Sequence, residues 1–177
     1  MLHCGGTPAN VVPASAAGSF YVRSYSRSYL NTVLPRFRRV MEGAAMMTET
    51  QVEIREIKSV DNKSPSLKLN HLVMDMAKQV GAPALAPARE KTGSTDFGNV
   101  MHRVPGTCIR VAFVDPGITA HSKAFLDAGK TQRAHEALAY GARILARTGV
   151  RLVKDPQLLR EIQEEFRENL QAEQAQI

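Results

Sequence analysis

Two short alternating segments on either side of one long helical pattern constrain the fold of this chain most. Residues 18–24 (GSFYVRS) and residues 51–57 (QVEIREI) alternate apolar and polar side chains, which predicts strands with one buried face. Pro35 lies inside the helical pattern, either in a first turn or at a kink. The apolar residues at helical spacing are Leu30, Val33, Leu34, Phe37, Val40, Met41 and Ala44. Because two strands bury too little surface to be stable alone, this part predicts an incomplete α/β sandwich.

The rest of the chain combines helical patterns with one more strand pattern. The predicted elements are a helix from Ser64-Pro65 to Gly81, an extended segment at 82–88, a strand at 107–114, a helix at about 131–147 and a last helix capped by Asp155. The helix at 131–147 has a face of small and apolar residues that we expect to be buried: Ala134, Ala137, Leu138, Gly141 and Leu145. The sequence therefore predicts an α/β fold in two parts, residues 1–62 and 63–177.

The charge of the chain invites a nucleic-acid interpretation, since its formal net charge is +6. The only local cluster is RFRR at residues 36–39, which a solvated helix face explains better than a nucleic-acid site. No apolar run approaches the ~20 residues of a membrane span. Cys4 and Cys108 form no CxxC motif or disulfide framework, which is typical of a reducing cytosol. We therefore expect a cytoplasmic protein that binds neither nucleic acid nor membrane.

Histidine is the first candidate for site chemistry, but no pair of histidines has the spacing HExxH or HxH. His71 and His135 fall within predicted helices, where an ordinary helix position is the better interpretation. His121 differs because it lies in a loop that follows a predicted strand, and α/β proteins place ligands in such loops. A catalytic zinc needs about three protein ligands, and spacing alone supplies His121 with no partners. The residues predict no complete active site and no catalytic residue.

Two polar stretches are candidates for anion binding. Gly93, Ser94 and Thr95 offer backbone N–H groups and hydroxyls in one tight loop, although a simple turn capped by Asp96 is the favoured explanation from the residues alone. Asn10 precedes the first predicted strand, and Arg23 lies on the outward face of that strand. An amide and a guanidinium fork are groups that hold a carboxylate.

Three motifs, in order, resemble the zinc amidohydrolases and peptidases of family M-twenty. They are GGTPANVVPASAAGSFYVRS at residues 5–24, GSTDFGNV at residues 93–100 with Val-Pro after it, and His-Ser before a helix at residues 121–122. The branch they resemble most contains aminobenzoyl-glutamate hydrolases and β-alanyl-lysine-type dipeptidases. The resemblance implies that residues 1–62 are part of a lid, or dimerisation, domain. It implies that residues 63–177 are the C-terminal portion of a zinc-peptidase catalytic domain.

The resemblance also implies roles for single residues. It makes His121 a ligand of the second of two zinc ions in each protomer, and it makes Asn10 and Arg23 the lid residues that hold the substrate carboxylate. The loop Gly93, Ser94, Thr95 and Asp96 would line the substrate pocket. Met101 departs from the small hydroxyl residue that is usual in the family at this point, so the edge of the pocket differs.

The remaining family ligands and the general base have no counterpart in these 177 residues. We therefore expect a C-terminal fragment of a metal-dependent hydrolase of amide bonds in N-acyl or aminoacyl amino acids. The family implies a homodimer that forms through the lid. The fragment alone would be inactive. The alternative is a non-catalytic dimerisation or interaction module derived from such an enzyme.

Overall fold

The computed structural model describes residues 1–83, 85–86 and 93–175 of the chain. The fold is mixed and rich in helix, with one small two-stranded sheet. The described residues form two compact units, residues 1–57 and residues 58–175. In the described ranges no helix is both long and apolar enough to cross a bilayer.

The first unit contains the sheet and one long helix. Strands β1 (Leu2–Cys4) and β2 (Ala17–Gly18) pair antiparallel, and the N-terminal ammonium donates to the Ser19 carbonyl at 2.8 Å. Helix α1 (Arg27–Met47) begins where the Ser26 hydroxyl accepts from the Tyr29 amide. Pro35 lies inside this helix, as the pattern predicted.

Both strands predicted for the first unit are wrong as strands. Of residues 18–24 only Gly18 belongs to a strand, and residues 51–57 form no regular element. Beyond Gly18, the described residues offer neither segment a neighbouring strand, so their alternation has no hydrogen-bonded ladder to stabilise it. Phe20 instead lies beside Phe37, with ring centroids 5.6 Å apart, and is still 62% exposed.

The second unit has a core between three helices, α2 (Leu67–Gln79), α5 (Gln132–Lys154) and α6 (Pro156–Gln174). Two short helices, α3 (Phe97–Met101) and α4 (Lys123–Ala128), complete it. The central cluster consists of buried side chains from α2 and α5, which are Leu72, Val73, Met76, Ala77 and Ile144. The four residues on α2 are spaced three and four apart, which is the spacing of one apolar face of a helix.

The ends of these helices test the cap predictions. Helix α2 is capped by Ser66, whose hydroxyl accepts from the Leu69 amide at 3.1 Å, so the start predicted at Ser64-Pro65, with Ser64 as the cap, is wrong by two positions. After α2 the chain turns at Gly81 with φ of 70°, a conformation that favours glycine. Asp155 caps α6 as predicted. Of the extended segment predicted at 82–88, positions 84, 87 and 88 lie outside the described residues.

The strand predicted at residues 107–114 is also wrong as a strand, since these residues form no ladder within the described part of the chain. Ile109 packs against the central cluster. The predicted buried face of α5 is wrong in part. Ala137 is buried, but Leu138 and Leu145 are 75% and 66% exposed. Helix α5 turns Ala137, Ile144 and Thr148 toward the core, and the described neighbours cover only that side.

Candidate functional site

The loop of residues 93–96 leads directly into helix α3. The Thr95 hydroxyl accepts from the Phe97 amide at 3.3 Å, and the Thr95 carbonyl accepts from the Gly98 amide at 3.1 Å. Asp96 occupies the N-cap position, but its carboxylate makes no capping hydrogen bond. The side chain that stabilises the turn is therefore that of Thr95, and the Asp96 carboxylate is left to interact with other groups.

Helix α3 is anchored to the segment at residues 58–62. The Asp61 amide donates to Asn99 Oδ1 at 2.8 Å, and His102 Nε2 lies 3.0 Å from the Asn62 carbonyl oxygen. Gly98 is buried where helix α3 meets the segment at residues 58–62, and a Cβ built on it would lie 3.0 Å from the Asn62 carbonyl oxygen. Only a glycine lets the two backbones approach this closely. The anchor fixes the end of the 93–96 loop.

The rest of the loop faces solvent and carries a charge pair. Gly93, Ser94 and Asp96 are exposed, and the Asp96 carboxylate lies 3.8 Å from the Lys58 ammonium. Exposed ion pairs of this kind contribute about 0–1 kcal/mol and rearrange easily. The loop thus combines accessible polar groups with a nearby cation. An anion-binding role for Gly93, Ser94 and Thr95 stays a prediction.

His121 lies in the turn that precedes α4. Its φ is 66°, a left-handed conformation that costs a residue with a Cβ roughly 1–2 kcal/mol. The next residue, Ser122, caps α4, because its hydroxyl accepts from the Phe125 amide at 3.1 Å and donates to the Thr119 carbonyl. Phe125 in turn packs on Phe113, with centroids 4.9 Å apart. The exposed imidazole of His121 therefore lies on a turn whose backbone is fixed by the hydrogen bonds of Ser122 to Thr119 and Phe125.

The described residues do not fit the zinc that the resemblance implies. Within them, no three His, Cys, Asp or Glu side chains come together in a way that could hold a metal ion. Zinc sites in proteins use three or four such ligands at about 2.0–2.3 Å. His121 would need ligands from other polypeptide segments to take part in a metal site.

Asn10 and Arg23 lie in the first unit. Asn10 is exposed in a turn whose Val11 amide donates to the Pro8 carbonyl at 3.3 Å. The Arg23 guanidinium carbon lies 5.4 Å from the centroid of the Tyr21 ring. Contact with an aromatic face restricts an arginine side chain while leaving its N–H groups accessible. The structure brings Gly93 to Asp96 together on one loop; it places His121 on a separate turn of the second unit.

The second unit also has two clefts that lie apart from the 93–96 loop and from the turn at His121. A cleft of about 360 Å³ is formed by α2 and α5 and includes Met76, Ala146 and Val150. The other, of about 400 Å³, includes His71, Arg151 and Glu161. Neither cleft contains a residue that the sequence predicted for the site. The loop and the turn at His121 therefore remain the candidates.

Glu165 is a carboxylate whose role the sequence did not reveal. It lies on α6, and its side chain reaches the start of α2. There it accepts from the Ser66 hydroxyl and from the backbone amides of Leu67, at 3.0 Å, and Lys68, at 3.2 Å. A carboxylate at a helix N-terminus is favourable because free N–H groups point at it. Only knowledge of which helices pack together could have revealed this contact.

Comparison with known proteins agrees with the three motifs. The chain is 28% identical to human Xaa-Arg dipeptidase over 175 residues, which are 96% of this chain and 40% of that protein. It is 24% identical to a p-aminobenzoyl-glutamate hydrolase of Escherichia coli over 220 aligned residues, covering 93% of this chain and 46% of that protein. It is 28% identical to N-acetyldiaminopimelate deacetylase of Leuconostoc mesenteroides over 110 residues, 59% of this chain and 28% of that protein.

The homologues of this chain are amidohydrolases of family M-twenty, so the predicted resemblance is confirmed. The chain spans about 40% of the length of the dipeptidases it matches. No protein-family model matches it.

Proposed function

We propose that this chain is part of a metal-dependent hydrolase that cleaves amide bonds in N-acyl or aminoacyl amino acids. The observation that carries the proposal is the match of 96% of the chain to Xaa-Arg dipeptidase. The names of the relatives refer to three kinds of compound on which those proteins act: a dipeptide, an aminobenzoyl amino acid and an acetylated amino acid. The feature common to these compounds is an amide next to an amino-acid carboxylate.

The proposed role of this chain is to bind the substrate. Asn10 and Arg23 would hold the substrate carboxylate, and the exposed position of both side chains supports this role. The loop from Gly93 to Asp96 would line the pocket, where the Lys58 ammonium would exchange its exposed pair with Asp96 for a pair with an anionic substrate. Residues 1–62 would belong to a lid domain, and residues 63–177 to the catalytic domain.

The proposal assigns the bond-breaking chemistry to residues that the 177-residue polypeptide does not supply. His121 is its one candidate metal ligand, and no metal-holding group forms among the described residues. A water nucleophile needs a base or a metal to activate it near neutral pH. We therefore expect the isolated chain to bind little zinc and to hydrolyse no substrate at ordinary enzyme rates.

Carboxylate recognition by the purified chain tests the proposal directly. N-acetyl-arginine should perturb NMR signals of the chain, and N-acetyl-argininamide, in which an uncharged amide replaces the carboxylate, should perturb them much less, because Arg23 pairs with the carboxylate. Arg23→Ala should abolish the difference. Arg39→Ala is the matched control, since Arg39 is exposed on α1 of the same unit. Equal binding of acid and carboxamide would contradict the proposed role of the chain.

Zinc content and hydrolysis, measured on the same sample, test the second part. Stoichiometric zinc, measured by mass spectrometry, together with hydrolysis of N-acyl amino acids would show that the chain is active alone. The proposal expects neither.

The proposal extends to assembly and location. We infer a homodimer through the lid and a cytoplasmic location, since Cys4 and Cys108 are exposed free thiols that persist in a reducing compartment. The second candidate is a non-catalytic dimerisation or interaction module. The incomplete metal site favours it, and binding of partners without any binding of N-acyl amino acids would support it.

A further inference from the structure

Helix α3 and the segment at residues 58–62 lie side by side and contact each other at both ends. At one end the Asp96 carboxylate, just before α3, lies 3.8 Å from the Lys58 ammonium. At the other end His102 Nε2, just after α3, lies 3.0 Å from the Asn62 carbonyl oxygen. Residue numbers rise along both pieces from the first contact to the second. The helix and the segment therefore run in the same direction.

The contact between His102 and Asn62 determines where the imidazole carries its hydrogen. A backbone carbonyl oxygen only accepts hydrogen bonds, so the hydrogen must be on Nε2. In a neutral imidazole only one nitrogen carries a hydrogen, which leaves Nδ1 without one. The His102 amide also closes α3, because it donates to the Gly98 carbonyl at 3.2 Å. His102 thus holds the end of α3 through its backbone and the segment at residues 58–62 through its ring.

A carboxylate of α6 lies close to the same nitrogen. Glu173 Oε2 is 3.9 Å from His102 Nε2, and the side chains of these two residues are only 16% and 17% exposed. The other carboxylate oxygen, Oε1, is buried and has no hydrogen-bond partner among the described residues. A buried carboxylate is stabilised by a neighbouring N–H group, which presents a partial positive charge. Glu173 and the Asn62 carbonyl therefore both favour the hydrogen on Nε2.

We infer that His102 is a positioning residue of the proposed substrate site, because it fixes the Lys58 ammonium relative to the 93–96 loop. The inference rests on the proposed function, which assigns Lys58 and this loop to substrate binding. Lys58 is four residues before Asn62, and the loop ends six residues before His102. A hydrogen bond at the far end of each piece restrains the near end. His102 acts through Asn62 and touches no substrate.

The pair of Lys58 with Asp96 is too exposed to set this geometry by itself. Both side chains are largely in solvent, and such pairs contribute little and rearrange easily. The pair would also open when Lys58 turns to an anionic substrate. The contact of His102 with Asn62 is half-buried and does not involve the Lys58 ammonium, so it persists when the pair opens. A site that keeps its shape in this way loses less freedom on binding, which raises affinity.

The hydrogen on the ring gives the first test. In nitrogen NMR spectra of the labelled chain, the neutral ring of His102 should carry its hydrogen on Nε2. A neutral ring with the hydrogen on Nδ1 could not donate to the Asn62 carbonyl, and it would overturn the inference.

Amide hydrogen exchange tests whether the ring holds the two pieces together. His102→Phe keeps a ring but removes the donor, and the amides of Asp61 and Gly98 should exchange about 2- to 10-fold faster. His102→Gln keeps an N–H donor at a similar distance from the backbone and should restore most of the protection. Ile144→Val is the stability control, because it removes a methyl group from the central cluster. Equal effects of His102→Phe and Ile144→Val on the two amides would contradict the inference.

The contribution of Glu173 is tested in the same experiment. Glu173→Gln removes the charge and keeps the size of the side chain. Exchange of the two amides should then fall between the rates of the original chain and of His102→Phe. Faster exchange than in His102→Phe would place the anchor on Glu173 and not on His102.

Binding of N-acetyl-arginine, followed by NMR titration, separates this inference from the proposed function. His102→Phe should raise the dissociation constant about 2- to 10-fold, while His102→Gln and Ile144→Val should bind nearly as the original chain does. If the original chain and His102→Phe bind equally well, the proposed function stands and the positioning role is wrong. If the original chain does not bind N-acetyl-arginine, the proposed function fails and the positioning role fails with it.

Discussion

The contact at Gly98 gives the sharpest prediction for the candidate site. Replacing Gly98 by alanine puts a methyl group against the Asp61 carbonyl oxygen and 3.0 Å from both the Asp61 carbonyl carbon and the Asn62 oxygen. These are backbone atoms, so they cannot move aside as a flexible side chain would. Overpacking of this kind costs about 1–3 kcal/mol, and more where the backbone must shift.

A backbone shift at Gly98→Ala would also weaken the two hydrogen bonds that anchor α3. The bonds from the Asp61 amide to Asn99 Oδ1 and between His102 and the Asn62 carbonyl each contribute about 0.5–1.5 kcal/mol. Alanine gains back up to about 1 kcal/mol of helix propensity over glycine. From these terms we expect Gly98→Ala to lower the free energy of unfolding of the second unit by about 3 kcal/mol.

Urea-induced unfolding followed by circular dichroism measures this loss. With a urea dependence of about 1–2 kcal/mol/M, the midpoint should fall by about 2 M. Gly93→Ala is the control, since nothing lies within 4 Å of a Cβ built there, and its effect should stay within about 0.5 kcal/mol. If Gly98→Ala unfolds at the same urea concentration as Gly93→Ala, the close approach of α3 to Asp61 and Asn62 is not as described.

Two further substitutions act at the caps of α2 and α6. Glu165→Ala should destabilise the second unit by about 2 kcal/mol, since the Ser66 hydroxyl and two amides lose a charged acceptor, and Glu165→Gln should cost less; urea midpoints of the two variants measure the difference. At Asp155, the Leu158 amide, helped by Arg151, holds the pKa of the carboxyl below its ordinary value. A lowered pKa stabilises the fold above the unfolded-state pKa, and the contribution disappears as pH falls through the folded pKa. Asp155→Asn should therefore lower the Tm at neutral pH, and its Tm difference from the original chain should shrink in acid; a difference that is constant with pH would contradict this.

The helices were largely predictable from the sequence because a helix satisfies its own backbone groups. The patterns predicted α1, α2, α5 and α6, and the cap at Asp155 is confirmed. Errors at their ends are small. Ser66, and not Ser64, caps α2, because the Ser66 hydroxyl is the one that reaches the Leu69 amide. Helix α5 continues to Lys154, seven residues beyond the predicted end at 147.

The strands were not predictable in the same way, because a strand depends on a neighbour that its own sequence does not contain. Residues 107–114 have the alternation and half-buried face of a strand, yet they have no ladder among the described residues. The same dependence explains the error on α5. Amphipathic spacing predicts which helix face is apolar and favourable to bury. Leu138 remains 75% exposed because the described residues cover another side of the helix.

The same distinction between local and long-range contacts applies to the candidate site. The motifs identified the homologues correctly, because a motif is carried by neighbours in sequence. They also marked the loop at residues 93–96, whose geometry Thr95 and Gly98 fix locally. A metal site is different, because its ligands come from several segments and each is useful only when the others are in place. His121 is held in a left-handed turn just before α4, which favours a functional interpretation of the residue. That interpretation requires at least two further ligands, and any segment that supplies them must approach the exposed turn at residues 117–121.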